Sequence, residues 1–409
     1  MKILVFIIAL FAYSSLYSLE YTDKTPNLFI DCNGCDENFF REKIKFVNFV
    51  RDRADADIYV MLNYQMTGSG GKKYFLDFVG YNQFNGLNDT IVYTIPNSTT
   101  EDFRRNKITE KINLGLVRYL MKTQFADSLN LNFATNTTES EKKKEINDPW
   151  DYWVFSADLN SYFSGEKTSN SLSAYSSLSA DRVTDDWKFS LGLNFNYSES
   201  NYLYDDINYL TLTKSRSADA SAIKSLGNNF SAGVWSSYSQ STYSNILNSI
   251  NASVGGEYSI LPYSESNRAA IKLQYKVSNR YYQYEEETIY LKSSEYVLSN
   301  NLSFLSNFKQ NWGNIYASVS WSNFLNDFDK NRFDAYTNFS VNLFKGFNLN
   351  FNLYYSSIHD QISLRRAGTS VEDLLLKRKQ LGTQYSYGGS FGVSYSFGSM
   401  YSNFVNTRF

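Results

Sequence analysis

The chain has no long apolar run beyond its first residues. After Ala12, no stretch is long enough to cross a bilayer as a helix. Proline is scarce, with four in 409 residues. There are only two cysteines and one histidine. A zinc centre would need two strong ligands besides Cys32 and Cys35, and His359 lies far along the chain in a different region, so no metal site is expected. Charge of either sign is in small excess: 39 Lys and Arg against 41 Asp and Glu give a net −2. That balance lacks the basic footprint of a nucleic-acid partner.

Aromatic residues, by contrast, are abundant: 34 Tyr, 31 Phe and 6 Trp. A polar mean hydropathy with so many aromatics is what alternating strands produce, because each apolar residue is diluted by a polar neighbour. The aromatic excess is discounted somewhat by the general richness in Asn, Lys, Tyr and Ile, a bias that base composition can impose. Sequons such as Asn97-Ser98-Thr99 are read as chance in a chain so rich in Asn and Ser.

Residues 1–18 read as a cleaved signal peptide: Lys2 supplies a positive charge, an apolar run follows to Ala12, and Ser14, Ser15 and Ser18 are small. Residues 26–123 read as a mixed α+β domain of order β-α-β-β-β-α. Its strands are expected at Asn27 to Asp31, Ile58 to Gln65, Lys73 to Val79 and Thr90 to Ile95. A first helix carries Phe40, Ile44 and Val47 at helical spacing behind an Asp36 N-cap, and Thr67 to Gly71 turns a hairpin. A second helix starts near Thr99, where Thr99-Thr100-Glu101-Asp102 resembles a capping box, and buries Ile108, Ile112, Leu116 and Tyr119. Residues 124–148 are polar, then charged from Glu139 to Glu145, and read as a linker with little to pack.

From residue 150 to 409 the chain alternates. Trp187, Phe189, Leu191, Leu193, Phe195 and Tyr197 are interleaved with Lys188, Ser190, Gly192, Asn194 and Asn196. Phe347, Leu349, Phe351, Leu353 and Tyr355 are interleaved with Asn348, Asn350 and Asn352. Period two sends these sets to opposite faces of a strand. The segments are long and regular, and aromatics gather near their ends as in interfacial girdles. Together these features favour a transmembrane β class, an antiparallel barrel of about twelve strands, over a soluble sandwich. Expected strand centres are Ala157, Leu178, Leu191, Ala220, Val234, Ala252, Leu273, Leu302, Val319, Phe339, Phe351 and Phe391, with the fourth the weakest. Closure is required, because lipid cannot satisfy an open edge. Thr184-Asp185-Asp186, Leu226 to Asn229 and Lys345-Gly346 are expected as short periplasmic turns. Glu199 to Asp206, Asn279 to Glu287 and Ile358 to Leu381 are expected as longer outer loops. The polar set, including Lys188, Lys272, Lys276, Asn348, Asn350 and Asn352, is expected to face the lumen.

Few residues suggest chemistry. Cys32-Asn33-Gly34-Cys35 sits between a strand and a helix, as a redox motif would. The order of elements after it lacks a second β-α crossover, however, and an oxidising compartment favours a local structural disulfide. Gly68-Ser69-Gly70-Gly71-Lys72 joins two strands and reads as a turn, not a phosphate loop. His359, Asp360 and Ser363 invite a lipase reading, but 359 and 363 are too far apart on an extended strand for direct contact. Glu285-Glu286-Glu287 could bind a cation or a sugar, and reads more simply as a solvated charge run. Val371 to Lys379 is expected to form a short helix in the last loop. No cofactor and no catalytic residue is assigned.

The ending Gly398-Ser399-Met400-Tyr401-Ser402-Asn403-Phe404-Val405-Asn406-Thr407-Arg408-Phe409, after Ser394-Tyr395-Ser396-Phe397, resembles that of a group of uncharacterised outer-membrane β-barrel proteins. Phe46 to Ala56, with Thr67 to Gly71 downstream, is similar to the N-terminal periplasmic α/β domain of the same group. The resemblance spans nearly the whole chain after the signal and implies architecture and outer-membrane placement, without an activity to transfer. Three functions follow as expectations. The first is a barrel, bathed in outer-membrane lipid, anchoring a periplasmic domain that binds an envelope partner. The second is a narrow pore for small polar solutes, and the third, disfavoured, is a lipase-type hydrolase.

Overall fold

In the computed structural model, residues 25–32, 34–68, 70–129, 148–366, 379–406 and 408 are described. The expected signal peptide, most of the linker and nearly all of the expected helix at 371–379 lie outside them.

The N-terminal domain is one five-stranded sheet with two helices. In chain order it comprises β1 (Asn27–Cys32), α1 (Glu37–Lys43), β2 (Asn48–Phe49), β3 (Ile58–Met66), β4 (Lys72–Gly80), β5 (Asn88–Ile95) and α2 (Glu101–Leu120). The sheet order is β2-β1-β3-β4-β5. β1 runs parallel to β2 and β3, while β3, β4 and β5 form an antiparallel meander. Sequence reasoning missed β2, because a two-residue strand has no periodicity to detect. α1 starts as expected, with the Asp36 carboxylate accepting from the Phe39 amide at 3.1 Å. It ends at Lys43, so Val47 packs from outside the helix. α2 is capped by Thr100, whose hydroxyl accepts from the Phe103 amide at 3.2 Å, one residue later than the expected box.

Alternation splits this sheet into two faces. Leu28, Ile30, Ile58, Val60, Leu62, Leu76 and Phe78 meet Phe39 and Phe40 of α1 and Ile108, Ile112, Leu116 and Tyr119 of α2. Burying each such side chain contributes about 1.5–3 kcal/mol. At Gly115 a Cβ would strike the Phe78 ring, so a glycine lets α2 lie against β4. The other face carries Asp31, Tyr59, Met61, Asn63, Gln65 and Asp77 and has no helix over it among the described residues. Tyr59, Met61 and Asp77 are nevertheless buried.

Twelve strands follow: β6 (Trp153–Gly165), β7 (Ser169–Val183), β8 (Trp187–Tyr204), β9 (Ile207–Ser225), β10 (Phe230–Ser241), β11 (Ile246–Ser259), β12 (Ala269–Tyr284), β13 (Ser294–Gln310), β14 (Gly313–Phe324), β15 (Asp327–Phe344), β16 (Phe347–Ile358) and β17 (Tyr385–Tyr395). All twelve expected centres fall inside them. Each strand pairs antiparallel with the next, giving an up-and-down sheet of order β6 to β17. The register keeps one face continuous. Phe155, Ala180, Leu191, Ala220, Ser236, Ala252, Asn279 and Leu298 form a single cross-strand row on the outward, mostly apolar side. The fold class is thus a transmembrane-type β-barrel with a separate α+β domain.

Two details depart from expectation. β8 and β9 run to a two-residue turn, Asp205-Asp206, so Glu199 to Tyr204 is strand and not loop. β12 likewise extends to Tyr284. The contrast between short and long turns therefore rests mainly on the connections 285–293 and 359–384. β6 and β17, the ends of the meander, have no ladder to one another among the described residues. Their outward side chains are accordingly very exposed, Phe163 at 84% and Phe391 at 69%.

The capped barrel mouth as candidate functional site

The central part of the helix-free face, around Tyr59, Met61 and Asp77, is buried where it sits on the barrel, while its β5 edge at Val92 stays exposed. Its contacts reach several separate turns at one end. Asp77, 1% exposed on β4, accepts from Thr90 Oγ1 at 2.7 Å and from Arg268 Nε at 3.0 Å, and Arg268 belongs to the β11–β12 connection. Gln65 donates to Ser266 Oγ of the same connection at 3.2 Å. Arg53 donates to the carbonyls of Asn311 and Asn342, and Asn311 donates to the Tyr81 hydroxyl, which fixes the β13–β14 turn. Asp52 and Asp55 engage Gly346 and Lys345 of the β15–β16 turn. Gly68, at the tip of the β3–β4 hairpin, lies so close to Val183 at the end of β7 that no Cβ would fit. The loop once compared with a phosphate loop is thus a packed hairpin against the barrel rim.

The chain after β17 closes the ring. Met400 O accepts from the Arg51 amide at 2.9 Å, and the Ser402 amide donates to Phe49 O at 2.8 Å. Val50 and Tyr401 form an antiparallel bridge. The C-terminal segment therefore extends the sheet beyond β2, whose edge would otherwise be open.

Between cap and wall lies a cavity of about 360 Å³, lined by Asp31, Met61 and Asn63 from the domain and by Lys309, Asn314, Ser340 and Asn342 from the polar barrel face. The Tyr59 hydroxyl donates to Asp31 at 2.6 Å. Burial, reinforced by that carboxylate, pushes the Tyr59 phenol far above its ordinary value, so it stays a neutral donor at any physiological pH.

The expected lumen residues all lie on the polar face, but their charges are largely absorbed. Lys272 Nζ is 3.1 Å from Glu257, and Lys276 Nζ stands 4.0 Å above the Trp235 ring. Asn350 donates to Asn348 at 2.6 Å, Asn348 to Asn342 at 2.8 Å, and Asn352 to the Tyr336 hydroxyl at 3.2 Å, an amide ladder along β16. Lys188 lies between Val183 and Ile223 in register, near the capped end.

At the opposite end the last loop is pinned down. Arg365 reaches Glu285 at 3.0 Å, Glu286 at 2.9 Å and Thr242 O at 2.7 Å, while Arg366 reaches Glu287 at 2.8 Å. Buried Asn245 bridges Glu286 O and Ser363 O. The Glu285-Glu286-Glu287 run is solvent-exposed, as expected, and also serves as an ion-pair seat for the last loop. Asp360 is held by Arg332 at 2.9 Å, and His359 Nδ1 faces Ser357 Oγ at 3.5 Å, not Ser363. The suspected triad is not assembled. Cys32 and Cys35 are joined, with Cα atoms 5.8 Å apart, at the β1–α1 junction against the domain core.

Sequence reasoning missed Asp77, Arg268, Arg53 and Asp31. An acidic residue within the apolar alternation of β4 was the only available signal.

The fold and the capped mouth define a class: an antiparallel membrane-type barrel bearing a domain docked on one end. No family model matches the chain, and no curated protein does. Among solved structures it is similar to the β domain of the Bordetella autotransporter Brka, at 12% identity over 60% of this chain and 100% of that one, with a TM-score of 0.26. It is also similar to the translocator domain of the autotransporter NalP from Neisseria meningitidis, at 13% identity over 60% and 88%, with a TM-score of 0.25.

Proposed function

We propose that this chain is an outer-membrane barrel that holds its N-terminal domain as a fixed periplasmic cap and presents the helical layer of that domain to an envelope partner. One observation carries the reading: the β1, β3 and Asp77 part of the helix-free face is turned onto the barrel, which leaves α1 and α2 turned away from it. A domain tied to several turns and to the C-terminal segment is anchored far more firmly than a linker would require. The proposal assigns the chain no catalytic step and no cofactor. Photo-crosslinking from exposed α2 positions such as Leu114 and Lys107 in intact cells tests it. One discrete adduct, lost when the cross-linker is moved to the barrel-facing Gln65, is expected. The absence of any adduct from α2 would refute the partner reading.

The cavity beside Asp31 and Lys309 favours a second reading, in which the cap restricts a polar lumen. In planar bilayers the intact chain would then conduct weakly. Deleting residues 26–123 would raise the conductance severalfold. Equal conductance with and without the domain would eliminate it.

A further inference from the structure

We propose that the outward wall of β7 to β12 holds a specific site for a phosphate-bearing, multi-chain membrane lipid, resting on the membrane reading above. The wall is dented there. Ala180, Ala220, Ser236 and Ala252 are small residues in one cross-strand row, and Ala218 and Ala222 continue the small stripe along β9. Larger neighbours stand on both sides: Phe155, Leu178, Leu191 and Leu193 toward β6, Tyr238, Ile250, Val254 and Leu298 toward β13. The result is two adjoining apolar grooves, of about 630 and 650 Å³, that share Leu191, Ala220 and Ser236. Two grooves side by side suit two acyl chains of one amphiphile.

Charge identifies the headgroup. On β9 the outward positions next to Ala218 are Arg216 and then Lys214, at the end remote from the cap. Arg216 is exposed and makes no ion pair among the described residues. Lys214 Nζ lies 5.7 Å from the Tyr197 ring and likewise makes no ion pair among the described residues; the outward carboxylate beside it, Glu199, accepts from the Tyr197 hydroxyl. Register places Arg216 beside Phe195 and Gln240, one step above the Leu193–Ala218–Tyr238 row that forms the upper lip of the first groove. Two cations beside one carboxylate leave a net positive charge at the end of an apolar groove, which matches a lipid phosphate above its chains. A second copy of the chain fits less well. A two-fold contact through this patch would set Lys214 and Arg216 against their own equivalents.

The test uses the full chain reconstituted in nanodiscs of phosphatidylglycerol or phosphatidylcholine. It is then re-extracted in mild detergent, and retained lipid is counted by mass spectrometry. Wild type is expected to retain phosphatidylglycerol selectively. K214S/R216S should lose that selectivity by about thirty-fold, since each cation near an anionic lipid is worth several-fold. A220F, which fills the shared wall with the cations intact, should also release lipid. K224S, at the opposite end of β9, should not. Equal retention of both lipids by wild type, or unchanged retention by K214S/R216S, would overturn the site. So would an A220F-sensitive dimer in place of bound lipid. Failure of wild type to insert, read by protease protection in the same discs, would instead refute the membrane barrel itself.

Discussion

Arg268→Ala should loosen the cap more than any other single surface substitution. Asp77 is a carboxylate buried at the cap–barrel joint, with two side-chain partners, Thr90 and Arg268. Removing Arg268 leaves the charge with one hydroxyl donor. Breaking a buried pair costs about 3–5 kcal/mol, but Arg268 is itself 47% exposed, so water replaces part of what is lost and about 2–3 kcal/mol is the appropriate expectation. The Lys345–Asp55 pair provides the contrast. Its lysine is 56% exposed, and Lys345→Ala should cost no more than about 1 kcal/mol. Hydrogen exchange on the intact protein separates the two. Under Arg268→Ala, amides of β4 and of the β11–β12 connection should lose protection together, by roughly thirty- to a hundred-fold for that energy. A double-mutant cycle with Asp77→Asn should show strong coupling, since the neutral amide no longer needs the guanidinium. If Arg268→Ala changes protection no more than Lys345→Ala does, or if the two substitutions simply add, then Asp77 is not the keystone of the joint and the cap is held by its rim contacts alone.

Three further outcomes follow from the packing. Gly115→Leu drives a side chain into the Phe78 ring and should destabilise the N-terminal domain by about 1–3 kcal/mol in denaturant titration. Burial pushes the Tyr119 phenol up to about 12 from 10.0, so the neutral form stabilises the fold fully below pH 10. That contribution should be lost as pH rises from 10 toward 12, which a spectrophotometric tyrosine titration run alongside circular dichroism would register; an ordinary phenol titration without unfolding would contradict it. In a bilayer the edges of β6 and β17 have to be satisfied. An antiparallel register that sets Ala157 against Phe391, Leu159 against Gly389 and Ser161 against Tyr387 pairs small residues with large ones. Ser161→Cys with Tyr387→Cys should therefore cross-link, and Ser161→Cys with Phe391→Cys should not.

Period-two alternation made the barrel legible, because each strand must carry its own apolar face. The fourth strand was weak in sequence for the reason that makes it interesting in the structure: Ala218, Ala220 and Ala222 contribute little hydrophobicity while Lys214, Arg216 and Lys224 share their face. The domain core was legible from helical spacing at Ile108, Ile112, Leu116 and Tyr119. The docking was not, because Asp77 and Arg268 are 191 residues apart and nothing local links them. The same distance problem hid Arg365 from Glu285 and Glu286: the exposure of the glutamate run was legible, and its ion pairs were not. Loop lengths misled where hairpins such as β8–β9 continue as strand past the polar Glu199, Ser200 and Asn201 to a two-residue turn.

The bridge between Val50 and Tyr401 also imposes an order in time. The edge strand beside β2 is supplied by residues 400–402, which follow the last barrel strand, so the N-terminal sheet remains incomplete until the barrel segment has been made. Until then its β2 edge is an open template for foreign strands. A chain truncated anywhere within the barrel would therefore keep the core of its first domain and leave the edge beside β2 unpaired.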